Sequence, residues 1–115
     1  MIKKTLTTFA FLILGGCAAQ LAPQKVAQTE ASIRAAEELG AADVPSAKQL
    51  VNLAKEETDA AKRLAEGNDP RSNGMLSRAQ ADSDLAIAIT RENALRSQAI
   101  QQQEELKRLQ KGGTP

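Results

Sequence analysis

Apolar positions recur in two ways along this chain. Near its start, residues 6–14 form an almost unbroken apolar run behind Lys3 and Lys4. After Pro23 the apolar residues return instead every three or four positions, the spacing of one helix face. Three such segments follow. The first, about residues 24–39, sets Val26, Thr29, Ile33, Ala36 and Leu39 on one face and Lys25, Glu30, Arg34, Glu37 and Glu38 on the rest. Glu30 and Arg34 are spaced as a favourable i,i+4 pair, and Gly40 offers a left-handed stop just past the helix end. In the second, about residues 46–66, Ala47, Val51, Ala54, Thr58, Ala61 and Ala65 alternate spacings of four and three, flanked by Leu50 and Leu64. That is the seam of antiparallel packed helices or of a coiled coil. Ser46 and Gln49 have capping-box spacing, with Pro45 just ahead.

The third segment, about residues 75–111, directs Leu76, Ala79, Ser83, Ala86, Ile89 and Asn93 to one side, with Leu85 and Ala94 beside them. It would span about 55 Å against about 32 Å for the second helix, so its end must project beyond the others. After Ile100 the run Gln101-Gln102-Gln103-Glu104-Glu105 is polar and only Leu106 and Leu109 remain apolar. The expected fold class is all-α: a signal helix, then an antiparallel three-helix bundle with a long projecting C-terminal helix. Residues 23–111 form the helical domain and 112–115 a disordered tail.

Two local motifs invite a metal and fail. The loop of residues 67–74 resembles a calcium loop in composition, but twelve residues counted from Asn68 end on Ala79, where a bidentate glutamate is needed. Asp82 and Asp84, two apart on a helix, point about 200° from each other and do not converge.

The N-terminal run changes the picture. About 11 apolar residues span about 16 Å of helix, too short for a hydrocarbon core of about 30 Å. The run ends in Leu14-Gly15-Gly16-Cys17, which holds the only cysteine. This stretch resembles the lipobox of bacterial lipoproteins, although Gly15 stands where Ala, Ser or Thr is commoner. The resemblance implies that residues 1–16 are a signal peptide cleaved before Cys17, with Leu14, Gly15 and Gly16 read by the peptidase. Cys17 then carries a diacylglycerol and usually a third acyl chain. One chain binds a membrane only marginally, at about 0.8 kcal/mol per buried methylene, whereas two or three hold it. The competing reading is an ordinary secretory cut after Ala18 or Ala19, leaving no lipid. Residues 17–22 are the lipidated tether, and the five that follow Cys17 reach at most about 18 Å. Ala18 and Ala19, in place of an Asp, favour the outer membrane.

Removing residues 1–16 from the 115 leaves 99, enough for one small domain. Phe9 and Phe11, the only aromatic residues, leave with the signal, and the chain has no histidine. Loss of Lys3 and Lys4 takes the basic residues from 15 to 13 against 14 acidic ones, a net charge of −1. Nothing in that balance attracts nucleic acid. Nucleophilic triads lack their usual base, and no ring is left to stack on sugars or bases. No enzyme, cofactor, metal or small-molecule substrate is expected. Alanine dominates, 20 against 18 Leu, Ile, Val and Met in residues 17–115. It permits close helix approach but leaves a thin core, which makes an envelope protein partner or self-association plausible.

A wider pattern lies behind the cysteine: Gly40-Ala41, Pro45, Ala47-x-x-Leu50, Ala54, Ala61-x-x-Leu64-Ala65-x-Gly67-Asn68, then Leu76-x-x-Ala79-x-Ala81-Asp82-x-Asp84-Leu85-Ala86. It resembles the small envelope lipoproteins carrying domain of unknown function 4398, from which the loop of residues 69–74 departs. The resemblance implies a helical, periplasm-facing domain and supplies no activity. The expected role is therefore a non-catalytic, membrane-anchored structural or adaptor lipoprotein of the outer membrane. Two alternatives are a coiled-coil oligomer like the murein lipoprotein and a small membrane-active, toxin-related lipoprotein. The second lacks the lysine-rich, aromatic-bearing face such helices use.

Overall fold

The computed structural model describes residues 20–112, which fold as three α-helices and one short 3₁₀ turn. Helix α1 is Pro23–Glu38, the 3₁₀ turn is Ala41–Asp43, α2 is Pro45–Glu66 and α3 is Ser72–Gly112. The expected signal segment with Leu14, Gly15, Gly16 and Cys17, and residues 113–115, lie outside the described residues.

Both α1 and α2 open with proline at the first helical position, where a missing N–H is no loss and the fixed φ already suits a helix. This corrects the start expected for α2. Val44, extended at φ −114°, is the N-cap and its carbonyl accepts from the Lys48 N–H at 2.9 Å. No side-chain cap forms, so Ser46 and Gln49 make no capping box. Gly40 does take the left-handed conformation expected, at φ +95°. At the end of α2 the left-handed residue is Asn68 at φ +53°, whose short amide side chain tolerates that region. The Asp69 N–H then reaches back to the Leu64 carbonyl at 2.8 Å and closes the helix end. Helix α3 begins at Ser72, three residues earlier than expected, and takes up the last three residues of the anticipated loop.

Contacts between helices fix the register. Lys62 meets Glu30 at 2.6 Å and Lys55 meets Glu37 at 2.5 Å, so facing numbers on α1 and α2 add to 92 and the two helices run antiparallel. Glu30 thus pairs across to Lys62 and not along its own helix to Arg34, as its spacing suggested. Arg78 meets Glu57, so facing numbers on α2 and α3 add to 135, again antiparallel. Gln80 donates to the Ser32 hydroxyl at 2.9 Å, an offset of 48 between the parallel helices α1 and α3.

The core is built largely from alanine. Ala36, Ala47, Ala54, Ala61, Ala79 and Ala86 are fully buried, and Ile33, Val51 and Leu76 supply the larger side chains. Several hydroxyls share this interior and satisfy themselves locally. Thr29, Thr58 and Thr90 each donate to the carbonyl four residues back, and Ser83 to the one three back. A buried hydroxyl with such a partner avoids the penalty of an unmade bond.

On α3 the buried face runs Leu76, Ala79, Ser83, Ala86 and Thr90, with Ile89 half-buried. Asn93 and Ala94, expected on or beside that face, are exposed, as is every residue from Arg91 to Gly112. The register explains where burial stops. With facing numbers adding to 135, Pro45 at the start of α2 stands opposite Thr90, and beyond α2 only the 3₁₀ turn is left to meet α3. The projecting arm is therefore 22 residues, 91–112, about 33 Å long.

Candidate functional site

Chemistry in the described residues is concentrated at three places. Between α2 and α3, Glu57 is 7% exposed, with one carboxylate oxygen 3.5 Å from Arg78 Nε and the other buried without a hydrogen-bond partner. Burial, followed by the hydrogen bond and charge of Asp82, pushes its pKa above the ordinary carboxylate range, while Arg78 only partly opposes the shift. Asp82 thus faces α2. Asp84 instead accepts from Gln80 Nε2 at 2.9 Å on its own helix, so the two aspartates diverge as their spacing required. Two neighbouring carboxyls, Glu57 and Asp82, with Arg78 beside them, form a packing element of the α2–α3 interface. Among the described residues no group of three or more Cys, His, Asp or Glu is placed to hold a metal ion.

At the α2–α3 turn, Arg71 grips Asp69 through its side chain at 2.6–3.1 Å and its backbone N–H at 2.9 Å. Those side-chain and backbone bonds hold the Asp69 carboxyl down to about 2. Asp69, the one carboxylate among residues 67–74, is committed to the turn. On the α1–α2 face, Lys62 lowers the Glu30 pKa and is itself raised in return, mainly through their shared hydrogen bond. A depression of 570 Å³ lined by Ala42, Pro45, Lys48, Gln49, Asn52, Leu53 and Glu56 is open and brings no reactive groups together.

The third place is the arm. Five of the exposed large apolar side chains lie on α3, Leu85 just before the arm and Leu95, Ile100, Leu106 and Leu109 on it. Leu95, Leu106 and Leu109 are 66%, 59% and 61% exposed. Leu95 stands nine residues past the buried Ala86, which at about 100° per residue turns it to the opposite side of the helix. The arm's leucines therefore do not prolong the bundle core; they form a separate face. Sequence reasoning placed Leu85 beside a core face that ended at Asn93, left Leu95 unassigned, and treated only Leu106 and Leu109 as apolar positions of the end after Ile100. The missing signal is the spacing 85, 88, 92, 95, 99, 102, 106, 109, a heptad rotated away from the core.

These features define an all-α three-helix bundle with a free helical arm. No family model matches the chain, and neither the curated proteins nor the solved structures contain a match to it. No helix among the described residues is long and apolar enough to cross a membrane.

Proposed function

We propose that the protein is a non-catalytic lipoprotein of the cell envelope, held at the periplasmic side of the outer membrane by lipid on Cys17 and acting as a structural or adaptor component. The observation that carries this reading is Leu14-Gly15-Gly16-Cys17 behind Lys3, Lys4 and an apolar run. The likeness to envelope lipoproteins with domain of unknown function 4398 belongs to the same proposal.

The topology supports it. Because α1 and α3 run parallel, a tether entering at Pro23 joins the bundle at the end where α3 begins, and the arm leaves from the other end. An anchored single copy would hold its free apolar stripe away from the bilayer, where another protein could meet it. Two acyl chains at Cys17 suffice for stable attachment without a spanning helix.

Labelling with an alkyne-bearing fatty acid tests the anchor. The wild-type chain should take up label, lose residues 1–16 and fractionate with membranes, and Cys17→Ser should take up none and stay uncleaved. Absence of label on the wild-type chain overturns the lipid anchor. Oligomerisation as a coiled coil, the nearest alternative role, is favoured by the exposed leucines of the arm.

A further inference from the structure

From the pattern of the exposed stripe we infer that α3 pairs with α3 of a second copy as an antiparallel two-helix coil over residues 82–112. The pairing is independent of lipidation at Cys17.

All eight stripe positions from Leu85 to Leu109 are exposed, and they alternate three and four apart, so they present one continuous seam. A seam of this kind associates only where its layers match. In the antiparallel register whose facing numbers add to 194, every layer matches by polarity, apolar against apolar and polar against polar. Leu85 meets the partner's Leu109, Ala88 meets the partner's Leu106, and Leu95 meets the partner's Ala99. The two polar positions also meet each other, Glu92 against the partner's Gln102, where an amide can donate to a carboxylate. Two-fold symmetry repeats each contact.

Charges flanking the seam agree. Arg91 falls beside the partner's Glu105, twice per pair, and Gln98 beside the partner's Gln98. One like-charged meeting remains, Arg96 with the partner's Arg96. Each of these arginines already holds its own Glu92 at 2.9 Å, which neutralises it. Other registers are worse. Shifting by one heptad sets Glu92 against a leucine, and an in-register parallel pair stacks Glu92 on the partner's Glu92 and Arg91 beside the partner's Arg96. Like charges brought together in this way select against the parallel form.

Space is available as well. Leu85 and Ala88 lie on the side of α3 turned away from α1 and α2, so the partner's helix end seats there without displacing the bundle. The two bundles then cap opposite ends of a rod. Pro23 stands level with residue 71 on α3, so the two α1 starts lie 52 residues apart along the rod, about 78 Å. If Cys17 is lipidated, a paired molecule lies along a bilayer or bridges two surfaces, whereas a single copy stands with its arm outward.

Oxidative crosslinking of the full chain in a Cys17→Ser background tests the register. The double variant Leu85→Cys/Leu109→Cys should give a species of twice the chain mass, and either single variant should give at least tenfold less. No dimer from the double variant overturns the pairing, and equal crosslinking of the single variants overturns its antiparallel sense. Arg91→Glu should weaken association about tenfold, the equivalent of about 1.4 kcal/mol, and Arg91→Glu/Glu105→Arg should restore it. Failure of that double exchange to restore association overturns the assigned register.

Discussion

A carboxylate wedged between helices with one oxygen unpaired is a liability at neutral pH, and Glu57→Gln removes it. Glu57 is 7% exposed, its second oxygen has no hydrogen-bond partner, and its only cation, Arg78, is 3.5 Å away on a side chain 73% exposed to screening water. A buried unsatisfied group costs about 1–3 kcal/mol, more when charged, and a half-exposed ion pair returns only about 0–1. Glutamine keeps the shape, loses the charge and offers an amide hydrogen to Asp82. The net gain at neutral pH is about 1 kcal/mol, which for a domain of this size raises Tm by about 4–8 °C. Its pH dependence has a definite sign. The folded pKa of Glu57 lies above its unfolded 4.5, so its contribution is most favourable below 4.5 and is lost as pH rises through the folded value. The advantage of Glu57→Gln should therefore be near zero in acid, grow across that window and level off above it. Thermal unfolding of the full chain, followed by far-ultraviolet circular dichroism at several pH values, measures this. A glutamine variant that is less stable at neutral pH, or whose advantage does not change with pH, refutes the assignment of Glu57 as a buried carboxyl with an unpaired oxygen.

Two further substitutions examine the packing. Ile33, 5% exposed, is one of few large side chains in an alanine core, and Ile33→Ala should lower stability by about 2–4 kcal/mol in denaturant titration. Gly40 holds φ +95° with no side chain crowding it, so Gly40→Ala should cost about 1 kcal/mol from backbone strain alone, with the helical content of the folded state unchanged.

Legibility in the sequence depended on whether a partner was needed to read it. The buried face of α2 could be followed from Ala47 to Ala61 because alternating spacings of three and four are a property of one helix. Glu57 was passed over on that same face. It lies three residues after Ala54 and four before Ala61, but a charged residue reads as a solvated one until Asp82 and Arg78 are known to stand across from it. Asp82 was compared with Asp84, its neighbour in sequence, when its neighbour in space was on another helix. The arm was foreseen but its root was misplaced. Composition changes after Ile100, whereas contact ends at Thr90 because α2 begins at Pro45, and only the inter-helix register reveals that. The proposed anchoring signal is the reverse case, written entirely in the local run from Lys3 to Cys17.

The same register predicts how the arm behaves when its amides exchange with solvent. Helix formation is cooperative, and a segment without tertiary contacts is marginal even when long, so residues 91–112 owe their helicity to the turn already fixed at Thr90 and to local pairs such as Glu92 with Arg96. At low concentration, protection should be high through Thr90 and decline steadily toward Gly112, with Leu109 exchanging fastest among the stripe leucines. Pairing levels the gradient, because the far half of each arm packs against residues 82–91 of the partner, the most firmly held part of the paired segment. Protection at Leu106 and Leu109 should therefore rise with protein concentration toward that at Leu95, and Arg91→Glu should suppress the rise without altering amides before Thr90. If amides on both sides of Thr90 exchange alike at low concentration, the bundle does not end opposite Pro45, and the register beneath both the fold and the pairing is wrong.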